Sequence, residues 1–221
     1  TYDYYLEPTA AYFAIKKASE PLHIQWNPAT DEVEVVNYSA GTHSHLTARV
    51  QILNMDASVA WEKETTVDSR EDTTEKCIKL EFPETLSEVY FIKLWLLEDG
   101  KILSDNFYHA SRKGINYQAL KQLPEVTLDC QAKMAQDKEG NWTATVTLTN
   151  PTSTPALMTR INVVGDKDGD QFLPILYEDN YFALLPGEQK EVSVRWKDVD
   201  TRGNSPVIRI TGYNVKELSR Q

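Results

Sequence analysis

From Leu22 onward the chain repeats one pattern: apolar and polar residues alternate with a period of two, in short segments separated by clusters of Pro, Gly, Asp and Asn. A period of two puts every apolar side chain of a segment on one face, and burying that face against a second sheet is the usual resolution. The clearest case is Trp142, Ala144, Val146 and Leu148, which alternate with Thr143, Thr145, Thr147 and Thr149. This is a half-buried strand with its threonines outward.

Applied along the chain, the pattern predicts strands at Leu22–Trp26, Glu32–Tyr38, Leu46–Asn54, Val59–Val67, Thr74–Phe82, Tyr90–Leu97 and Ile102–His109. Reversals such as Asn27-Pro28-Ala29-Thr30-Asp31 and Glu98-Asp99-Gly100-Lys101 separate them, with Pro, Asp and Gly favouring tight turns. Seven short antiparallel strands in this span read as an immunoglobulin-like sandwich. Arg112 to Pro124 break the alternation, and a second set follows: Val126–Ala135, the Trp142–Thr149 strand, Ala156–Val164, Gln171–Tyr177, Glu188–Lys197 and Pro206–Tyr213. The fold class is all-β, with two tandem sandwiches at 22–113 and 125–221 joined by a linker at 114–124.

Only the beginning of the chain departs from this. Residues 9 to 19, TAAYFAIKKAS, have a helical period, with Pro8 suited to a first turn, Lys16 and Lys17 near the C-terminal end, and Pro21 as a stop. Ala11, Ile15, Ala18 and Leu22 share one side, while Tyr12 and Phe13 add apolar surface beyond it.

Charge narrows the function. The chain carries 23 basic and 33 acidic residues, a net charge of −10 over 221 residues, without a basic stripe. That composition argues against nucleic acid or an anionic membrane as partner. The apolar run Tyr90–Leu97 contains Lys93 and falls far short of the ~20 residues a bilayer-spanning helix needs. Cys77 and Cys130 fall in different predicted domains, so no disulfide is expected; Cys130 follows the core phase of its strand and Cys77 the outer phase, as an exposed thiol would.

Candidate chemistry is sparse. Asp166-Lys167-Asp168-Gly169-Asp170 has the alternating carboxylates of a calcium loop, but an EF-hand starting at Asp166 needs Gly and Glu where Gln171 and Tyr177 stand. An acidic hairpin turn is the simpler reading. His43 and His45 would share a strand face as metal ligands can, yet no third ligand is indicated and Gly41 and Thr42 point to a solvated turn. Neither a metal nor a cofactor is expected. Walker, G-x-G-x-x-G and G-x-S-x-G motifs and any Asn-Glu dipeptide are missing from the sequence. Trp95, Trp142 and Trp196 fall on core phases, whereas Trp26 and Trp61 are open to either reading.

One internal echo stands out. Ser104-Asp105-Asn106-Phe107-Tyr108 and Glu178-Asp179-Asn180-Tyr181-Phe182 both set an acid-amide pair before two rings. Local turn chemistry explains such a pair most simply, and a polar and aromatic ridge facing a neighbour is the functional alternative. The ridge residues are Asp105, Asn106, Tyr108, Asp179, Asn180 and Tyr181.

These residues carry a family resemblance. Tyr2-Asp3-Tyr4-Tyr5-Leu6-Glu7-Pro8 through Lys16-Lys17-Ala18 to Gln25-Trp26 resembles the junction where glycoside hydrolase family 2 enzymes leave their catalytic barrel, in the exo-β-glucosaminidase and β-mannosidase branch. Leu103 to Tyr108 is similar to the last strand of the first sandwich after the barrel, Asn116-Tyr117 with Leu123-Pro124 to the next link, and Asp179 to Phe182 with Leu185-Pro186-Gly187-Glu188 to a hallmark of the final sandwich. The resemblance implies that residues 1–21 are a remnant of the last helix of a truncated (β/α)8 barrel. It implies no catalytic residue in this chain, because the family's two glutamates sit on barrel strands. It also implies an upstream barrel of the same polypeptide as partner, oligosaccharide as a further one, and a periplasmic or secreted location. The expected role is a non-catalytic accessory region that buttresses the barrel and rims its pocket; a carbohydrate-binding module and a tandem-sandwich surface adhesin are the alternatives.

Overall fold

The computed structural model describes residues 2–221. They form two compact units, one of Ile15–Gln122 and one of Leu123–Gln221 together with the N-terminal residues through Ala14.

In the Ile15–Gln122 unit the strands are β1 (Leu22–Asn27), β2 (Glu32–Asn37), β3 (His43–Asn54), β4 (Val59–Ser69), β5 (Thr73–Lys79), β6 (Val89–Glu98) and β7 (Lys101–Ser111). They pair antiparallel in two sheets, β1-β2-β5 and β4-β3-β6-β7. The alternation predicts the buried phase: Ile24, Val33 and Val35 from one sheet and Leu46, Ala48, Val50, Ile52, Ile92, Leu94 and Leu96 from the other have no exposed surface.

In the second unit β8 (Asp129–Gln136), β9 (Asn141–Thr149), β11 (Leu176–Tyr177) and β13 (Gln189–Lys197) form the sheet β11-β13-β9-β8. β10 (Ala156–Gly165), β12 (Phe182–Leu184), β14 (Pro206–Thr211) and β15 (Leu218–Arg220) form β12-β10-β14-β15. Ala144 and Val146 of β9 pair in register with Val194 and Val192 of β13, and with Leu148 they close the core against Ile161, Val163, Ile208 and Ile210. Among the described residues the fold is thus two antiparallel β-sandwiches with a single α-helix, α1 (Ala10–Ala18).

Several details differ from the sequence reading. In α1 the buried side chain is Phe13, with 4% exposed, while Ile15 is 55% exposed, because the core that the helix meets, that of the second unit, lies on the Phe13 side. His43 and His45 open β3 rather than sitting in a turn. The turn is completed earlier, where the Asn37 amide donates to Gly41 and Ser69 carbonyls and accepts from Ser39, and His45 then forms a bulge with φ +58°. Trp95 is half-exposed on the face of β6 opposite the core, where Arg49 lies 5.4 Å and the Lys93 ammonium 5.6 Å from its ring centre. Cys77 is half-buried with its thiol donating to the Val33 carbonyl at 3.3 Å, and burial pushes its pKa up to about 12, so it is no exposed nucleophile. The Gln171–Tyr177 segment forms strand only at its last two residues, since Pro174 cannot donate to a ladder, although Phe172 and Ile175 still reach the core. β12 and β15 are three-residue edge strands, too short to show a period.

Candidate functional site

The echoed residues occupy different positions in their two units. In the first unit β1 is an edge strand whose outer backbone groups lack a ladder partner. Alternate residues of β7 supply one. Ser104 Oγ accepts from the Ile24 N–H at 3.3 Å, the Asn106 amide donates to the Ile24 carbonyl at 3.1 Å, and the Tyr108 hydroxyl accepts from the Trp26 N–H at 3.4 Å. The period of two that buries one face of β7 thus turns three polar side chains into a substitute ladder joining the two sheets. The Tyr108 ring stands edge-on to Trp26 at 5.7 Å, and burial raises its hydroxyl pKa.

Charge gathers beside this ladder. Lys17 reaches both Glu20 and Asp105 at 2.9 Å, and the other Asp105 oxygen lies 3.4 Å from the buried ammonium of Lys93. The Ser104 hydroxyl donates to Glu20 at 2.6 Å, and buried His23 sits between Glu20 and Asn106, 3.4 Å from each. Partial burial works against the Glu20 charge, but bonds from His23, Ser104 and Lys17 outweigh it and hold the carboxyl below its usual range. For Lys17 burial is likewise opposed and outweighed, by Asp105 and Glu20, so its pKa is raised. Lys93, 8% exposed at its side chain, is tolerable in that position because Asp105 offsets its desolvation.

In the second unit Asn180 plays the strand-pairing part alone. Its amide donates to the Ile161 carbonyl at 2.9 Å and accepts from the Ile161 N–H at 2.8 Å, an exchange of two bonds such as a neighbouring strand residue makes. Asp179 accepts from the Asn180 N–H at 2.8 Å and pairs with Lys190 at 2.6 Å. Tyr181 takes φ +58°, packs at 6.0 Å from Phe13, and carries the Arg160 guanidinium 5.6 Å from its ring centre. Arg160 also pairs with Glu7.

The structure therefore brings Asp105, Asn106 and Tyr108 together on β7, and Asp179, Asn180 and Tyr181 together before β12. In both, the asparagine holds backbone of an adjacent strand, and Asn180 also makes the local bond the sequence suggests, its side-chain oxygen accepting from the Tyr181 N–H at 3.1 Å. Ser104, Glu20 and Lys93 also belong to the first cluster, although none is among the ridge residues the sequence suggests; the spacing of Ser104, Asn106 and Tyr108 in a single strand is the signal for Ser104. At Asp166–Asp170 the backbone reverses after β10, with Asp168 accepting from the Asp170 N–H, Asp166 from that of Ser205, both at 2.9 Å, and Gly169 at φ +71°. Among the described residues no group of three or more His, Cys, Asp or Glu is placed to hold a metal ion, and no helix is long and apolar enough to cross a membrane.

Two surface hollows lie in the second unit. One of about 340 Å³ is lined by Met158, Arg160, Tyr181, Thr211, Gly212 and Tyr213. The other, about 440 Å³, lies beside Met134, Trp142, Asp166 and Asn204. Trp142 is only half-buried there, stacked at 5.9 Å on buried Trp196 with its indole N–H donating to Asp198 at 2.8 Å.

Paired antiparallel sandwiches whose conspicuous polar residues bind their own strands define a tandem immunoglobulin-like module. Residues 106–215 match the family described as the exo-beta-D-glucosaminidase Ig-fold domain. The chain is thus similar to the immunoglobulin-like region of exo-beta-D-glucosaminidase-type glycoside hydrolases. It is 33% identical to an exo-beta-D-glucosaminidase of Streptomyces avermitilis, over 97% of this chain and 26% of the relative, and 30% identical to one of Amycolatopsis orientalis, over 97% and 23%. The crystal structure of the Amycolatopsis orientalis exo-chitosanase superposes with a TM-score of 0.92 at 27% identity, covering 99% of this chain and 28% of that one. The chain thus spans about a quarter of the length of the curated relatives it matches.

Proposed function

We propose that this chain is the non-catalytic C-terminal accessory region of a family 2 exo-glycosidase of the β-glucosaminidase or β-mannosidase type, and that it buttresses the catalytic barrel. The observation that carries the reading is the pair of coverages: the match runs through 97% of this chain but 26% of a relative that is an exo-beta-D-glucosaminidase. In this arrangement residues 1–21 derive from the barrel's last helix, 22–113 and 125–221 are the two modules, and 114–124 links them. The location is periplasmic or secreted, in keeping with a polymeric sugar as the substrate of the whole enzyme.

The geometry supports a mechanical rather than a chemical role. Glycosidic cleavage by the usual route needs two carboxyl groups about 5 to 10 Å apart across a sugar pocket. Here Glu20, Asp105 and Asp179 are each engaged by cations of their own unit. Of the candidate contact residues, Tyr181 lines an open hollow and is the one best placed to meet a neighbour. Removing residues 22–221 from the parent enzyme tests the role: the barrel should lose thermal stability or solubility as its covered surface is exposed. A barrel that melts unchanged would sink the buttress reading.

A further inference from the structure

Three loops gather at one end of the second unit: the turn at 137–140 between β8 and β9, the turn at 166–170 after β10, and 197–204 at the end of β13. They are tied together, with the Asp198 N–H donating to the Gly140 carbonyl at 2.8 Å, the Asp166 N–H to the Ser205 carbonyl at 3.1 Å and the Lys167 ammonium to the Gly203 carbonyl at 2.9 Å. Between them they carry seven carboxylates against four basic side chains, so the field at this end favours a cationic ligand. The hollow of about 440 Å³ opens here, a size within the range of small-ligand pockets. Met134 and Trp142 reach it from one sheet, and Pro206, with Asp166, Asn204 and Ser205 of the adjoining loops, from the other.

Trp142 is held on one side and faces the hollow on the other. Trp196 of β13 stacks on it with the ring planes 4° apart, and the Trp142 indole N–H is tied to Asp198. β13 and β8 flank β9 on opposite sides, so the second side of the ring is turned toward Met134 and the hollow. An indole fixed in this way gives the apolar C–H face of a sugar ring a platform, and its π-face attracts a cation. Polar groups lie beside it. Exposed Asp166 accepts the Ser205 N–H at 2.9 Å with one oxygen, and its other oxygen has no partner among the described residues. Asn204 donates to the Thr201 carbonyl at 3.1 Å, while its side-chain oxygen is enclosed without a hydrogen-bond donor. An enclosed acceptor without a donor costs stability that a ligand N–H or O–H recovers.

We propose that the Trp142 hollow is a binding site for cationic amino sugars, the class to which the units of a glucosamine polymer belong. The ammonium meets the Asp166 carboxylate in a charge-assisted bond, hydroxyls meet Asn204 and Ser205, and a ring face lies on the indole. The cationic-sugar chemistry stands on the hollow itself, whereas the choice of glucosamine rests on the β-glucosaminidase reading of the parent enzyme. The hollow is not where residues 1–21 dock. β10 and β14 run from the Arg160–Thr211 pair, beside which Glu7 meets Arg160, to the Gly165–Pro206 pair at the hollow, five residues or about 17 Å further along. Holding a sugar is thus a task separate from seating a barrel.

Calorimetric titration of the 221-residue chain with a glucosamine tetramer, at a mildly acidic pH that keeps its amines charged, tests the assignment. Saturable binding is expected, at least about tenfold tighter than that of the N-acetylated tetramer, which offers similar ring faces without the charge. Asp166→Asn, which retains an acceptor for the Ser205 N–H, should weaken the tetramer at least about tenfold with the melting temperature unchanged. Asp170→Asn, on the same turn but outside the hollow, should change the affinity less than about twofold. Absence of saturable binding, equal affinity for the acetylated tetramer, or equal losses from the two variants overturns the proposal, the last because diffuse charge then attracts the sugar. In the longer polypeptide the tetramer should slow hydrogen exchange in 198–205 as it does in the isolated chain. Protection of that segment there without sugar also overturns it, since another part of the polypeptide then fills the hollow. A parent enzyme without action on β-glucosaminides would refute the glucosaminidase reading alone, because the titration reads the hollow.

Discussion

Asn180 shows how little of a buried amide's role is visible locally. Its side chain closes two bonds with the Ile161 backbone while 4% of the residue is exposed, so truncation strands a donor and an acceptor away from water. Each stranded group costs about 1–3 kcal/mol. Asn180→Ala should therefore lower the stability of the second unit by about 2–4 kcal/mol in urea denaturation. Asn180→Asp, which keeps the acceptor and loses the donor, should rescue little of it. A loss below about 1 kcal/mol would mean that water replaces the amide and that the pairing is incidental. Asp179 beside it differs in kind: its pair with Lys190 leaves both side chains 27% exposed, where ion pairs contribute little.

Between elements, the junction of α1, β1 and β7 in the Ile15–Gln122 unit is held by charge as well as by the ladder. Glu20 lies at its centre and its folded pKa is depressed. A carboxyl with a depressed folded pKa contributes stability that is present in full above its unfolded pKa, near 4.5, and is lost as pH falls through the folded value. Wild-type chain should accordingly exceed Glu20→Gln in stability at neutral pH, and the gap should narrow as pH falls below that unfolded value. Denaturant midpoints measured from neutral pH down to acid would show the convergence; a gap that is constant across the range would assign the effect to packing. The short edge strands obey a different constraint. β12 pairs with β10 through only Ala156–Leu184 and Thr159–Phe182, with an irregularity between them, so it owes its place to Asn180 and the core rather than to a ladder of its own.

At the level of the whole molecule, a chain with two complete sandwich cores should fold and yet do no chemistry on sugars. Purified 221-residue chain is expected to unfold cooperatively and to leave aryl β-glucosaminides and β-mannosides intact. Turnover that survives purification and is abolished by one carboxylate substitution within this chain would refute the non-catalytic assignment. The alternation of β9 and the turn residues around β1 and β2 made the sandwiches legible in sequence, because a period of two and backbone-restricted turn residues are local properties that burial only has to accept. The echoed Asp-Asn pairs were legible as unusual, but not what they bind: Ile24 is 82 positions from Asn106, and Ile161 is 19 from Asn180. Trp95 and Phe13 make the same point in apolar residues, since sequence placed Trp95 in a core strand and Phe13 off the helix's apolar face. Which side of a sheet a neighbouring cation covers, and which ring of a helix finds a core, are decided by nonlocal contacts, and those exist only once the tertiary structure has formed.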